Sequence, residues 1–585
     1  MSNDNPKPED INDPAKLSAN EKMKTDSRGL RGDLSDEMAD SLTGAIPEVG
    51  QQLIKFHGAY MQDNRDRREE RERKKLEWAY SYMIRLRIPG GDLTADQWVA
   101  LQDCCNENAS GDVKITTRQT IQFHGVVKAR MKPTMKDFDA LGLDAIAACG
   151  DVNRNVMAGA YPDLAPYHAE VFDYARKISE HLLPRTGAFK EVWLDGEKLE
   201  QDKPPEDDPL YKDIYLPRKF KIAIAIPPHN ENDVFSNDIG LIAIGEGDEF
   251  QGFNVSIGGG FGTTHGNLQT YPRRGTIIGF VPKDQALDCV WQIAAVQRDY
   301  GNREARNQAR LKYTVDRLGV DFFKGEVEKR CGFKLEEARP YKFTYRGDPY
   351  GWYEDHHGEW FYGIFVENGR VIDGKTAFGA EYNIKSALYE VAKTGKCGVR
   401  FTGNQNVMLT HVAEKDKKAL EDILKKHGVD VEAASKARKE AIACVALPTC
   451  PLALAEAQRY LPDLISKIED VQDKHGLKDE AMTIRMTGCP NGCGRPYMAE
   501  IGFVGKAAGK YALRLGGDYE GERLNQVYKE EVDEAEALET LDELFGEFVK
   551  NRDGEERFGD YIHRTHFKGK EFDGKAIAAQ AVAAE

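Results

Sequence analysis

Cys444 and Cys450, followed by Cys489 and Cys493, place four thiols in two close pairs within a stretch of 50 residues. The spacing is Cys-x5-Cys, then 38 intervening residues, then Cys489-Pro490-Asn491-Gly492-Cys493. Gly488, Gly492 and Gly494 surround the second pair. Glycine lets a loop wrap closely and aim backbone N–H groups at sulfur, which stabilises thiolate charge. Three readings compete. Unrelated core cysteines fit poorly, because close pairs flanked by Pro and Gly are unlike packing positions. Structural zinc favours tighter Cys-x2–4-Cys knuckles at both ends. An iron–sulfur cluster takes four Cys thiolates and tolerates irregular spacing, and it is the favoured reading. The other six cysteines (Cys104, Cys105, Cys149, Cys289, Cys331 and Cys397) are scattered and read as packing residues. Ten in 585 residues are too sparse for a disulfide scaffold and point to a reducing compartment.

A second set of residues is basic. Arg85 and Arg87 stand two apart, as do Lys219 and Lys221, so on a strand each pair projects to one face. Lys114, Arg118 and Arg154 add to them. Arginine's planar fork grips carboxylates and oxyanions in a bidentate way, whereas solvated strand surfaces are the plain alternative. The chain as a whole is acidic, with 81 Lys and Arg against 97 Asp and Glu and a net charge of −16. That argues against general nucleic-acid binding and makes any basic function a local pocket. Gly258-Gly259-Gly260 and Gly516-Gly517 fit neither the GxGxxG nor the GxxxxGK[ST] pattern. They read as matching turns, and no flavin or NADPH domain is visible.

The elements that must position these residues are mixed. A length of 585 residues suggests about three to six domains, or several lobes of one fold. Hydrophobic residues at 41% supply enough mass for substantial cores. No apolar run approaches the ~18 residues that span a bilayer. The start MSNDNPKPED lacks a signal peptide's basic and apolar regions, so a cytoplasmic address is expected. Residues 1–45 are polar and read as a flexible arm or partner-docking segment, and 62–76 as a solvated helix.

From residue 77 strands and helices alternate, and the grammar recurs. Val113–Gln119 lines up with Val399–Gln405 at an offset of 286 residues, which holds through Val126/Val412 and Asp144/Asp430. After the first copy come Asn153–Val156, a helix, the strand FKIAIAIPP and a Gly-rich end; after the second come Cys444 and Cys450, a helix, MTIRMTGCP and another Gly-rich end. The expected fold is α+β, internally duplicated and pseudo-twofold, with mixed sheets, flanking helices and one site shared between the halves. The expected boundaries are 1–76 for the arm, 77–145 and 341–430 for two ferredoxin-like repeats, 146–340 for the first half and 431–585 for the half with the thiols.

With TCPLALAEAQRYLP and TGCPNGCGRPYMAEIGFVGKA around its cysteines, the chain resembles the sulfite and nitrite reductases that use sirohaem and a [4Fe–4S] cluster. LIKFHGAYMQDNRDRR, TTRQTIQFHG, NRNVMAG, YLPRKFKIAI and HGNLQTYPR extend the resemblance over nearly the whole chain, and the arm and PRKFK favour the sulfite branch with an NADPH-linked flavoprotein as electron donor. The resemblance implies that Cys444, Cys450, Cys489 and Cys493 ligate the cluster and that Cys493 bridges to the sirohaem iron. It implies that Arg85, Arg154, Lys219 and Lys221 surround the substrate, with the lysines as proton donors. Sirohaem carries eight carboxylates, and Lys114, Thr116, Arg118, Gln122, His124, Arg310 and Asn491 are its implied contacts. Lys114 departs from the arginine expected there, and His124 is equally readable as a structural hydrogen-bonding residue. Nitrite reduction, a ferredoxin donor and a non-catalytic iron–sulfur carrier are the alternatives.

Overall fold

The computed structural model describes residues 6–189, 193–194, 197–198, 208–379 and 381–584. Two five-stranded sheets face each other at its centre. The first runs Ala59–Asp63, Tyr80–Arg85, Ile121–Val126, Val113–Ile115 and Arg370–Val371; the second runs Gly351–Glu354, Trp360–Ile364, Val407–Val412, Gly398–Phe401 and Asp92–Leu93. Each repeat therefore lends a two-residue strand to the other. Leu93 pairs with Val399, and Val371 pairs with Val113. The exchange removes a free sheet edge from both repeats and joins their apolar faces into one core, in which Trp98, Ile115, Leu388 and Phe401 are fully buried.

The 286-residue offset read from the sequence is the offset between Val113–Ile115 and Gly398–Phe401, between Ile121–Val126 and Val407–Val412, and between the helices Met131–Ala140 and Lys417–Lys426 to within a residue. In each repeat a glutamine in the left-handed region, Gln119 or Gln405, ends the strand-connecting turn. Its amide holds the segment entering the adjoining half: Gln119 Oε1 accepts from Ala158 N at 2.9 Å, and Gln405 Oε1 from Ala443 N at 3.2 Å.

Each outer half is a mixed sheet with helices packed on it. Ile222–Ala225, Ile239–Glu246, Glu249–Ile257 and Thr276–Pro282 form the first; Ile442–Ala443, Ile484–Thr487, Ile501–Ala507, Lys510–Leu515 and Gln526–Val532 form the second. The helices His168–His181 and Ala286–Tyr300 have counterparts in Leu461–Lys474 and Glu534–Asn551. The glycine runs are matching turns. A Cβ on Gly259 would lie 2.5 Å from Asn237 O, and one on Gly517 2.5 Å from Ala499 O, so only glycine fits where the chain crosses the mouth of each sheet.

Two sequence expectations need correction. The segment 6–45 is not a loose tail: it contains the helix Ala19–Asp26, whose Lys24 and Glu21 are buried against the first half. Polar composition concealed this because the contacts that seat the helix are themselves ionic. Within 62–76, Arg65 is more than a solvated helix residue, since its guanidinium donates to the carbonyls of Ala453 (3.1 Å) and Cys450. No described helix is long and apolar enough to cross a membrane.

Candidate active site between the halves

The thiols are gathered by parallel pairing. Ile442–Ala443 lies beside Arg485–Met486, and Cys444 N donates to Met486 O at 3.3 Å, which sets Cys444 against the loop carrying Cys489 and Cys493. Gly488 N and Thr487 Oγ1 approach Cys444 Sγ at 3.3 and 3.4 Å, and Asn491 Nδ2 approaches Cys489 Sγ at 3.4 Å. A Cβ on Gly488 would lie 2.5 Å from both Ala446 Cβ and Ala455 O, so glycine is required for the wrap. Burial, then repulsion from Cys493 and Cys489, pushes Cys444 up to about 12. Burial also pushes Cys450 up to about 11, with the same two thiols contributing. Cys489 moves in the same direction. Such thiols ionise only when a metal supplies the compensating charge.

Opposite them stands a wall of cations from the first half and first repeat. Thr117, Arg118, Lys219, Lys221, Arg310, Asn491 and Cys493 line one cleft, and Thr117 Oγ1 donates to Cys493 O at 2.7 Å. Burial and then Arg218 and Arg154 hold Lys219 well below the usual lysine range. Burial with Arg118 and Arg310 lowers Lys221 to about 7. Burial lowers Arg118 to about 9, with Asp238 opposing and Arg154 adding repulsion. No ion pair engages either lysine ammonium among the described residues. Arg154 is held by Gly150 O (3.2 and 3.3 Å) and by Tyr60 Oη at 3.5 Å. Arg85 donates to Cys149 Sγ at 3.4 Å and to Gln122 Oε1 at 2.9 Å; Gln122 in turn donates to His124 Nε2 at 3.3 Å. That leaves His124 Nδ1 to donate to Gln62 Oε1 at 3.1 Å, and burial lowers His124 to about 4, so the ring is neutral.

The comparisons with known proteins match this arrangement. The family described as "Nitrite/Sulfite reductase ferredoxin-like half domain" matches residues 77–141 and 353–427, the two strand-exchanged repeats. "Nitrite and sulphite reductase 4Fe-4S domain" matches residues 174–335, in the half pseudo-equivalent to the one bearing the thiols. The chain is 58% identical, over 93% of its length and 97% of the relative's, to a protein of Leptospira biflexa named "Sulfite reductase [NADPH] hemoprotein beta-component". A protein of the same name from Staphylococcus saprophyticus is 50% identical over 97% of this chain and 99% of its own. The chain belongs to the sulfite reductase hemoprotein beta-component family. A solved structure, the NirA protein of Mycobacterium tuberculosis, shares the fold with a TM-score of 0.74 at 23% identity, over 94% of this chain and 96% of that one.

The family implies a [4Fe–4S] cluster and a sirohaem, and the residues present fit both. For the cluster the fit is the donor set: four thiols, of which burial and neighbouring thiols raise the proton affinity of Cys444, Cys450 and Cys489, with N–H and O–H donors aimed at sulfur. Among the described residues no three His, Cys, Asp or Glu side chains converge as one ion's ligands. A four-iron cluster instead gives each thiol its own metal corner. For the sirohaem the fit is the surplus of cations, Arg154 buried and the others half-buried, together with the orphaned buried Nε of Arg118. Mutual repulsion among Arg85, Arg118, Arg154, Lys219 and Lys221 needs anions to offset it, and a polycarboxylate supplies them.

The residues named from the sequence do not all share one cleft. Lys114 is buried beside Cys444, donating to Ala443 O at 3.4 Å and to Asn368 O. With His124 it lines a second cleft alongside Trp78, Arg370, Val445 and Pro448. Thr116 Oγ1 accepts from Arg118 N at 3.1 Å and so shapes the turn. Arg310 is committed to Asp238, at 3.1 and 2.8 Å. Arg87 turns away from the site altogether, pairing with Asp144 at 2.9 Å because the strand ends at Arg85. Sequence reasoning missed Arg218, Tyr60 and Cys149. Arg218 was hidden because 216–221 is not a strand, so two-residue alternation does not apply. Cys149 had been read as packing, and only the fold brings it against Arg85.

Proposed function

We propose that this chain reduces sulfite to sulfide, as the name of its relatives implies, with the basic wall as substrate site and Cys493 as the thiol that would hold both cluster and sirohaem. The observation that carries the reading is the approach of Cys493, from one half, to Lys219 and Lys221 from the other, in one cleft where neither lysine has an ion-pair partner among the described residues. When bound, the sirohaem and cluster would relay to the substrate the six electrons that the donor delivers. Arg85 and Arg154 hold the oxyanion by charge and hydrogen bonds. Lys219 and Lys221 hold protons next to the substrate oxygens that leave as water; Lys221, lowered to about 7, is a ready donor near neutral pH, and burial lowers the proton affinity of Lys219 in the same direction. Thr116, Arg118, Gln122, Arg310 and Asn491 are read as sirohaem contacts, directly or through the turns they hold.

Electrons come from a partner, which we take to be an NADPH-linked flavoprotein, with ferredoxin as the alternative. The sparse cysteines, ten in 585 residues, support a reducing, cytoplasmic location. Turnover of purified holoprotein with reduced methyl viologen tests the substrate. A kcat/KM for sulfite above that for nitrite is expected, and a clear nitrite preference would overturn the proposal.

A further inference from the structure

Lys24 enters the first half where its two substrate-facing segments meet. Its ammonium is wholly enclosed, donating to Glu21 Oε1 at 2.7 Å and Leu216 O at 2.8 Å, and lying 3.7 Å from Asp151 Oδ2. Asp151 opens the segment that ends in Arg154, and Leu216 opens the segment that carries Lys219 and Lys221. The two segments are laced together: Leu216 N donates to Asp151 O (3.0 Å), Phe220 N to Val152 O (3.0 Å) and Arg154 N to Phe220 O (2.9 Å). Lys24 closes the outer end of that ladder.

The latch is complete on all sides. Arg306 grips Asp151 at 2.8 and 3.1 Å. Arg303 pairs with Glu21 and donates to Tyr215 O at 2.6 Å and Ile214 O at 3.1 Å, so the same helix also holds the backbone just before Leu216. A buried charge is tolerated only while every partner is in place, so the arrangement is close to all-or-none.

We infer that Lys24 is a positioning residue for the reduction: from the arm, it fixes the spacing between the segment bearing Arg154 and the segment bearing Lys219 and Lys221. The inference rests on the reading of those three residues as the oxyanion site. A shift of about 1 Å between groups that must grip one small anion is enough to weaken it strongly.

The test uses full-length holoprotein and reduced methyl viologen, so that no partner is involved. Lys24→Met is expected to raise the KM for sulfite about tenfold or more while kcat falls much less, with sirohaem and iron content unchanged. Amide exchange at Val152–Arg154 and Phe220 should quicken in parallel. Lys24→Arg should restore most of the affinity, and Lys16→Met, on the exposed face of the arm, should leave it unchanged. A lowered Tm with wild-type KM would reduce Lys24 to a structural role and overturn the inference. Arg154→Gln and Lys219→Met, run alongside, separate the two readings: if Arg154→Gln leaves KM unchanged and Lys219→Met leaves kcat unchanged, the site assignment falls, and if either variant shows its effect while Lys24→Met leaves KM at the wild-type value, only the present inference falls. Should Lys24→Met fail to retain cofactor, Glu21→Gln loosens the same latch; a several-fold rise in KM is then expected, and a wild-type KM counts against the latch.

Discussion

Asp233 and Arg495 occupy equivalent positions in the two halves, each in the left-handed region at φ 44° and 56°, and they are ion-paired at 2.9 Å. Each begins the short helical turn between the first two long strands of its half, Val234–Ser236 in one and Pro496–Met498 in the other. The pseudo-twofold axis therefore passes through a salt bridge between dissimilar residues. Arg346, at 3.2 Å, and Arg485 complete a buried knot around the same carboxylate. Arg495 lies two residues after Cys493, so the knot ties the cluster loop to the first half.

Asp233→Asn leaves three buried guanidiniums without their shared counter-charge. A loss of about 3–5 kcal/mol is expected, because breaking a buried pair from one side exposes the full desolvation cost of the other. Chemical denaturation of the purified variant checks it. A midpoint within error of wild type would mean that the knot is relieved by local rearrangement.

Cys444→Ser, Cys450→Ser, Cys489→Ser and Cys493→Ser should each reduce cluster iron and acid-labile sulfide, while Cys397→Ser, buried in the repeat core, should not. Iron and sulfide assays decide this without any turnover measurement. Full cluster content in Cys493→Ser would assign the fourth ligand elsewhere.

Lys219→Met should lower kcat for sulfite by about 100-fold or more, the usual scale for a lost proton donor, with the visible spectrum retained. Unchanged steady-state kinetics would remove Lys219 from the site.

Burial raises Glu231 from 4.5 to about 7, and it raises Glu440 similarly, with Asp348 adding repulsion. The folded state thus binds protons that the unfolded chain has released between those values, so stability should fall as pH rises from about 4.5 through 7. Glu231→Gln should flatten its share of that slope in Tm measured against pH. A slope identical to wild type would show that Glu231 ionises normally.

Gly91, at φ 78°, has no room for a side chain: a Cβ would lie 2.8 Å from Gln119 Cγ and 2.9 Å from Phe401 O. Gly91→Ala should cost at least about 1–3 kcal/mol and loosen the exchanged strand Asp92–Leu93. Faster amide exchange at Val399 would report the loosening directly.

Much of this molecule was legible in one dimension. The two Cys pairs with their glycines named the chemistry, because a ligand set is a matter of residue type and local spacing. The 286-residue offset named the duplication, because equivalent hydrophobic alternation builds equivalent strands. Residue type also named Lys219 and Lys221 as a basic pair, although the segment that carries them precedes the strand Ile222–Ala225 and is not part of it.

What the sequence could not supply were the encounters between distant segments. The reciprocal pairing of Leu93 with Val399 and Val371 with Val113 depends on strands too short to signal themselves. The burial of Lys24, the turning of Arg87 toward Asp144, the meeting of Arg85 with Cys149 and the Asp233–Arg495 knot each depend on which charge finds which partner once water is excluded. Residue type picked out the candidate ligands and the duplicated pattern; only three-dimensional packing selected the partners, because a buried charge is stable solely where folding has already delivered its counter-charge.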